Sequence, residues 1–227
     1  MPADLGAIVA SGLFADIDED HAALLFARMV PIRLSRGEVL FNEDDNGDRL
    51  YLVQSGKVKL GRGAPDQREN LLAVIGPGEF IGELTLFDPG PRTATATAVT
   101  QVELLELSHQ AMGDWLAQYP NAARYLLRAL AHRLRRTNEA LGDLVFSDVP
   151  GRVAKALLDL ADRFGEPTDE GVHVTHGLTQ VELAQLVGAS RETVNKALSE
   201  FVARGWVRLE GRGVYVLDRP KLAHRAH

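Results

Sequence analysis

Two clusters of polar residues in this sequence are spaced for chemistry. The first is the run Phe80 to Thr93, reading FIGELTLFDPGPRT. It offers a strand end, Gly82, the acid Glu83, a turn at Asp88–Pro91, then Arg92 and Thr93. A strong cation, a hydroxyl and a few backbone N–H groups make an anion site, and Arg92 with Thr93 would serve a phosphate. Glu83 can accept from a sugar hydroxyl. The same residues equally suit a plain Glu83–Arg92 ion pair closing a β-turn, which is the simpler reading. The second cluster is Arg191, Glu192, Asn195 and Lys196. At helical spacing they share one face, opposite Val194, Ala197, Leu198 and Phe201. A polar face near a helix N-terminus is where DNA base readers sit. Arginine can grip guanine O6 and N7, glutamate can accept from cytosine N4, and lysine suits guanine or a phosphate. Thr179, Gln180 and Ser190 lie at helix starts, where hydroxyl, amide and backbone N–H groups can meet phosphate. A solvated helix face of mixed charge is the alternative.

The elements that must hold these groups are readable from pattern. Thr179-Gln180-Val181-Glu182 matches a capping box. The helix it opens, with Leu183, Ala184, Leu186 and Val187, is stopped by Gly188 after two turns. Ser190 caps a further helix to about Arg204. Two short helices joined by a glycine turn make a helix-turn-helix. Trp206–Leu209 and Val214–Leu217, joined by Glu210–Gly213, read as a two-stranded wing. Arg219 to His227 gives no clear pattern. Upstream, Val39–Phe41, Leu50–Val53, Val58–Leu60, Leu71–Val74, Thr93–Val99 and Val102–Leu107 alternate with turn signals. Strands at that spacing mean a β-sandwich or barrel. Residues 4–30 read as short helices around Leu5, Ile8, Val9, Leu24, Leu25 and Met29.

Between the two clusters runs a long helix from about Pro120 to Phe146. Leu127, Leu130, Leu134, Leu141 and Leu144 alternate three and four apart, with Thr137 in the remaining seam position and Asn138 beside it. Such a heptad stripe packs two helices along each other. At ~1.5 Å per residue the run is roughly 40 Å long, more than a small domain needs to cap itself. It reads as a dimer spine, with an amphipathic core helix as the alternative. Ser147–Gly151 must break it. Asp148 can cap the next helix with Pro150 in its first turn. Three segments follow: a sensor over 1–118, a spine and hinge over 119–147, and a reader over 148–227.

Bulk composition sets outer bounds. With 227 residues, 45% hydrophobic and 25% charged, the chain reads as one or two ordinary globular domains. Cysteine is absent, which excludes disulfides, thiolate-ligated clusters and thiol catalysis. No apolar run reaches eighteen residues and no basic-then-apolar leader is visible, so a cytoplasmic protein without membrane contact is expected. The net charge of −6 is unevenly placed. Residues 1–147 hold 20 acidic and 14 basic side chains, and residues 148–227 hold 11 of each. A DNA reader needs only a local basic face, because phosphate contacts act within ~8–10 Å. No P-loop, no HExxH pair and no nucleophile motif is present, so no enzyme is expected. His173 and His176 read as surface residues. Arg133, Arg135 and Arg136 read as a solvated helix face with ion pairs.

Phe80–Thr93 resembles the phosphate-binding cassette of the cyclic-AMP receptor family. Leu183–Lys196, reading LAQLVGASRETVNK, resembles the helix-turn-helix of the same Crp/Fnr regulators. The likeness runs from about Leu13 to Leu217. It is nearest the actinobacterial cyclic-AMP receptor type in DRLY, QRENLL, GELTLFDPGPRT, LAHRLRRTN and FSDVPGRVAK. The resemblance implies an α+β chain. Its parts would be an N-terminal cyclic-nucleotide-binding β-barrel of jelly-roll type, a long dimerisation helix and a C-terminal winged helix-turn-helix. It implies cyclic AMP as allosteric effector, with no metal, haem or iron–sulfur cluster. Gly82 and Glu83 would meet the ribose hydroxyl, with Leu84 beside them, and Arg92 and Thr93 would hold the cyclic phosphate. Thr137 would bond the adenine from its own helix, and Asn138 would reach the nucleotide of the partner subunit. In some relatives a serine stands at that position. Arg191, Glu192 and Lys196 would read bases, an arginine replacing Lys196 in part of the family. The implied partners are double-stranded DNA, a second copy of the chain and RNA polymerase. The implied operator is a palindrome resembling TGTGA-N6-TCACA. The same fold serves other effectors, and a cyclic dinucleotide or constitutive DNA binding are the rival readings.

Overall fold

The structure, a computed structural model, describes residues 19–63 and 69–226. Helix α1 (Glu19–Phe26) precedes strands β1 (Val30–Leu34), β2 (Val39–Phe41), β3 (Arg49–Ser55), β4 (Val58–Gly63), β5 (Glu69–Ile75) and β6 (Phe80–Ile81). A single turn of helix, α2 (Leu84–Phe87), leads to β7 (Thr95–Ala98) and β8 (Val102–Ser108). Then come α3 (His109–Gln118), a 3₁₀ turn at Pro120–Ala122 and the long α4 (Ala123–Phe146). Beyond it lie α5 (Val149–Phe164), β9 (Gly165–Thr168), β10 (Gly171–Val174), α6 (Gln180–Leu186), α7 (Arg191–Ala203), β11 (Val207–Glu210), β12 (Gly213–Val216) and α8 (Arg219–Arg225). Of the helices expected before residue 30, Leu24 and Leu25 fall on α1. Leu5, Ile8 and Val9 lie outside the described residues, as do Gln67 and Arg68.

Strands β1 to β8 form two four-stranded sheets, ordered β1-β8-β3-β6 and β2-β7-β4-β5. Leu50–Val53 is an unbroken apolar run because β3 is covered on both faces. Tyr51 and Val53 join Val58, Leu60, Ala96 and Ala98 of the other sheet in one core. Leu50 and Leu52 turn the other way, against Leu25, Met112 and Trp115 of the flanking helices. The expected sandwich is therefore present, with helices on its outer side. Strand β1 lacks a sequence signal, and the two-residue β6 is the strand end read at Phe80–Ile81. Register places both: β1 pairs along five residues of β8, and β6 pairs with Tyr51 and Leu52 of β3.

The C-terminal elements have their own core of Leu157, Leu160, Leu183, Val194, Leu198 and Phe201 with strand valines. The caps fall where expected. Asp148 accepts the N–H of Gly151, Ser190 accepts that of Thr193, and Thr179 and Glu182 close a reciprocal capping box. The wing forms as β11 and β12. It belongs to a four-stranded sheet, order β11-β12-β10-β9, that the sequence did not signal. Gly165–Thr168 carries a proline and no β-branched run. It becomes a strand by pairing with β10 at the sheet edge, where proline is tolerated. Residues 166–171 are therefore part strand and part turn. His176 is a correction too: it is buried, and its Nδ1 accepts the N–H of Leu178 at 3.1 Å. It thereby shapes the entry to α6. His173 is half-buried and stacks on Tyr215. The unpatterned C-terminus is helix α8, seated by the fully buried Leu222.

Among the described residues no helix is long and apolar enough to cross a membrane. They divide into two compact units, with the boundary inside α4 between Arg135 and Arg136.

Candidate functional site

In the first unit Glu83 and Arg92 are brought to one open pocket, which Gly82, Leu84, Thr93, Phe41 and Arg133 also line. The two charged residues are 6% and 4% exposed. They do not pair with each other, so the simple β-turn ion pair is not what forms. Glu83 instead makes its ion pair with Arg133 of α4 through Oε1. Its other oxygen, Oε2, is buried and has no partner among the described residues. Among the described residues Arg92 has no carboxylate partner. Its Nη2 donates to the carbonyl of Arg49 at 2.7 Å and its Nη1 to that of Gly82 at 3.2 Å. A longer contact of 3.4 Å runs from Nη1 to Thr85 Oγ1. Its Nε is buried without a partner. Burial pushes the guanidinium below its ordinary value, and the charges of Tyr51, Asp48 and Glu83 act against that.

Buried polar groups are normally satisfied, and orphaned ones mark a group the chain does not itself supply. One orphan here is an acceptor on a carboxylate and the other a donor on a buried cation. That pair suits a small molecule carrying both a hydroxyl and an anion. The local backbone explains the cradle. Gly82 has φ +85°, and a Cβ there would stand 2.3 Å from Arg92 Nη1. Gly47 closes the other side, since its Cβ would meet Arg92 Nε at 2.9 Å. Thr93 and Leu84 are exposed at the pocket mouth.

Four contributors were not singled out by pattern. Arg133 is an ion-paired helix residue as expected, yet its partner is the pocket acid. Thr85 and Gly47 border Arg92. His109 Nε2 lies 3.5 Å from Thr85 Oγ1. Thr85 is two residues from Glu83 and was within reach of motif reading, but Gly47 and His109 are placed by the sheets alone. Burial first, and the Arg92 charge second, lower the His109 pKa from its ordinary 6.5. The folded protein then keeps His109 neutral where the unfolded chain binds a proton. The associated stability is complete above about pH 6.5 and is lost as pH falls through the lower, folded value. The melting temperature should therefore fall more steeply below pH 6.5 in the wild type than in His109→Gln.

Thr137 and Asn138 are exposed on the part of α4 that belongs to the second unit. Along the same helix Leu127, Leu134, Leu141 and Leu144 are 51–62% exposed. In the second unit Arg191, Glu192 and Lys196 project as exposed residues from the first turns of α7. Asn195 is half-buried with Oδ1 unpartnered. Gln180 is exposed at the first position of α6. Ser190 and Thr179 hold caps, and both the hydroxyl and the N–H of Thr179 are committed to Glu182. Arg152 fastens this reader to the end of the long helix. It donates to the carbonyls of Ser147 at 2.7 Å, Val187 at 2.8 Å and Gly188 at 3.2 Å.

Residues 31–119 match the family model of the cyclic nucleotide-binding domain, and residues 151–225 match the Crp-like helix-turn-helix domain. A CRP-like cAMP-activated global transcriptional regulator of Mycobacterium tuberculosis is 53% identical, over 95% of this chain and 96% of that one. This chain belongs to the Crp family. A cyclic AMP receptor protein of Thermus thermophilus is 40% identical over 77% of each chain. The structure of the c-di-GMP responsive global regulator of Xanthomonas campestris superposes with a TM-score of 0.72. It is 30% identical, over 88% of this chain and 99% of that one. The Crp relatives are transcription regulators and not enzymes, and the two matched segments contain the two polar clusters.

Proposed function

We propose that this chain is a cyclic-AMP-responsive, sequence-specific DNA-binding transcription regulator. It acts as a homodimer in the cytoplasm on a palindrome resembling TGTGA-N6-TCACA. The observation that carries the reading is the pair of orphaned atoms, Glu83 Oε2 and Arg92 Nε, in one pocket of a cyclic nucleotide-binding domain. Glu83 takes a ribose hydroxyl, and Arg92 with Thr93 takes the cyclic phosphate. Gly82 and Leu84 border the sugar. Thr137 bonds the adenine, and Asn138 reaches the nucleotide of the second copy. The leucine stripe of α4 is the surface that the second copy covers.

Residues 1–118 are the sensor, 119–147 the spine and hinge, and 148–227 the reader. Arg191, Glu192, Asn195 and Lys196 meet bases, and Gln180, Ser190 and Thr179 lie along the phosphates. RNA polymerase is the further partner. Cyclic AMP favours the protomer arrangement whose two readers match the half-sites. A coupling of ~1–3 kcal/mol corresponds to roughly 5–150-fold in DNA affinity.

The test is fluorescence anisotropy of a labelled TGTGA-N6-TCACA duplex at fixed salt. Protein is titrated without nucleotide, then with cyclic AMP, cyclic GMP or cyclic di-GMP. Tighter binding with cyclic AMP alone supports the proposal. A response to cyclic di-GMP alone moves the effector to the chemistry of the Xanthomonas relative. Tight binding indifferent to all three removes the switch and keeps the reader.

A further inference from the structure

We propose that Phe41 is a positioning residue for Arg92, holding the guanidinium in the plane from which it meets an anion. Arg92 is a buried cation without a carboxylate among the described residues, an arrangement that ordinarily carries a heavy desolvation cost. What lies against it instead is aromatic. Its guanidinium carbon stands 4.3 Å from the centroid of Phe41 and 5.9 Å from that of Tyr51. The two rings are themselves stacked, 6.1 Å apart at 28°. The negative faces of aromatic rings attract a cation, most strongly where water is excluded.

The fold brings these rings together from both sheets. Tyr51 is on β3, opposite Ile81 of β6. Phe41 ends β2, opposite Ala96 of β7, just after a register shift that follows Val39. Such a bulge re-aims the side chain beyond it. Gly82 and Gly47 come close to the guanidinium too, each leaving no room for a Cβ. Rings and glycine backbone thus enclose a flat group. Its Nη atoms are spent on the carbonyls of Gly82 and Arg49, leaving Nε unpartnered. Leucine at position 41 would keep apolar contact yet lose the ring face, so the guanidinium could tilt. The inference deepens the proposed function, and its consequence for nucleotide affinity rests on that reading.

The experiment uses full-length wild type, Phe41→Leu and Phe41→Tyr. Thermal melting of the ligand-free proteins confirms that each is folded. Nitrogen–proton correlation spectra then follow the arginine Nε–H signals, with Arg92→Lys to assign the Arg92 resonance. Ring currents should displace that resonance in the wild type and in Phe41→Tyr. It should return toward the exposed-arginine position in Phe41→Leu. Calorimetric titration with cyclic AMP should show roughly 5–30-fold weaker binding for Phe41→Leu, restored by Phe41→Tyr. A ligand-free Arg92 signal that Phe41→Leu leaves in place overturns the inference, and so does wild-type affinity in that variant. A wild-type protein that takes up no nucleotide sinks the reading of the pocket instead. In that event the Nε–H resonance still decides the role of Phe41.

Discussion

Arg92→Leu is expected to abolish the response to cyclic AMP while leaving basal DNA binding unchanged. Truncating one partner of a buried, hydrogen-bonded charge pair costs about 2–5 kcal/mol, roughly 30-fold to several-thousand-fold in affinity. Arg92 is the pocket's cation without a carboxylate partner, whereas Arg133 is already committed to Glu83. The ligand-free variant should remain folded. Removing a buried cation that lacks a carboxylate relieves its own desolvation cost and leaves no opposite charge stranded. Two carbonyls, of Gly82 and Arg49, do lose their donor. The measurable signature is therefore in the ligand's effect and not in the starting value. At a cyclic AMP concentration ~100 times Kd the wild type should gain about 2.7 kcal/mol. That is a rise in melting temperature of roughly 5–10 °C. The variant should show none at the same concentration. An equal rise in both proteins would place the phosphate elsewhere.

The second large effect is expected from the spine. Leu134 and Leu141 are 61% and 57% exposed on α4, seven residues apart on one stripe. In the dimer proposed above, Leu134→Glu with Leu141→Glu would place four carboxylates in the two-helix seam, where unpaired charge cannot be buried. Sedimentation should show a dimer for the wild type and a monomer for the double variant. Linking two readers makes the second half-site contact intramolecular, and avidity of that kind is worth about 10²–10⁴ in affinity. The double variant should lose that factor on a palindrome and much less on a single half-site. Neither residue belongs to a buried core, so the secondary structure and melting of each unit should persist. A variant that stays dimeric would assign the stripe to some other contact.

Local rules carried much of this fold because they act over a few residues. Thr179 with Glu182, Ser190, Asp148 and Gly188 mark helix ends through hydrogen bonds or a positive φ within four positions. Leu50–Val53 announced a strand, and the two cores on either side of it explain its unbroken apolar run. The acid and the arginine of the pocket were legible as chemistry too, since both fall within one fourteen-residue run. Strands β1 and β9 were not legible, because they owe their existence to partners and not to their own composition. His176 was misjudged as exposed for a related reason: its burial follows from the turn into α6.

By itself, then, the sequence determined most of the elements in order, the caps of three helices and the residue types offered for an anion and for DNA. Which charge meets which was a matter for the tertiary structure. Glu83 and Arg92 are nine residues apart and invite an ion pair, yet Glu83 is claimed by Arg133, fifty residues away. Arg92 is left to carbonyls and to the rings of Phe41 and Tyr51, forty-one or more residues distant. Spacing along a chain fixes contacts only within a helix turn or a hairpin. Pairing across two sheets and a long helix is set by register and packing, and no local pattern encodes it.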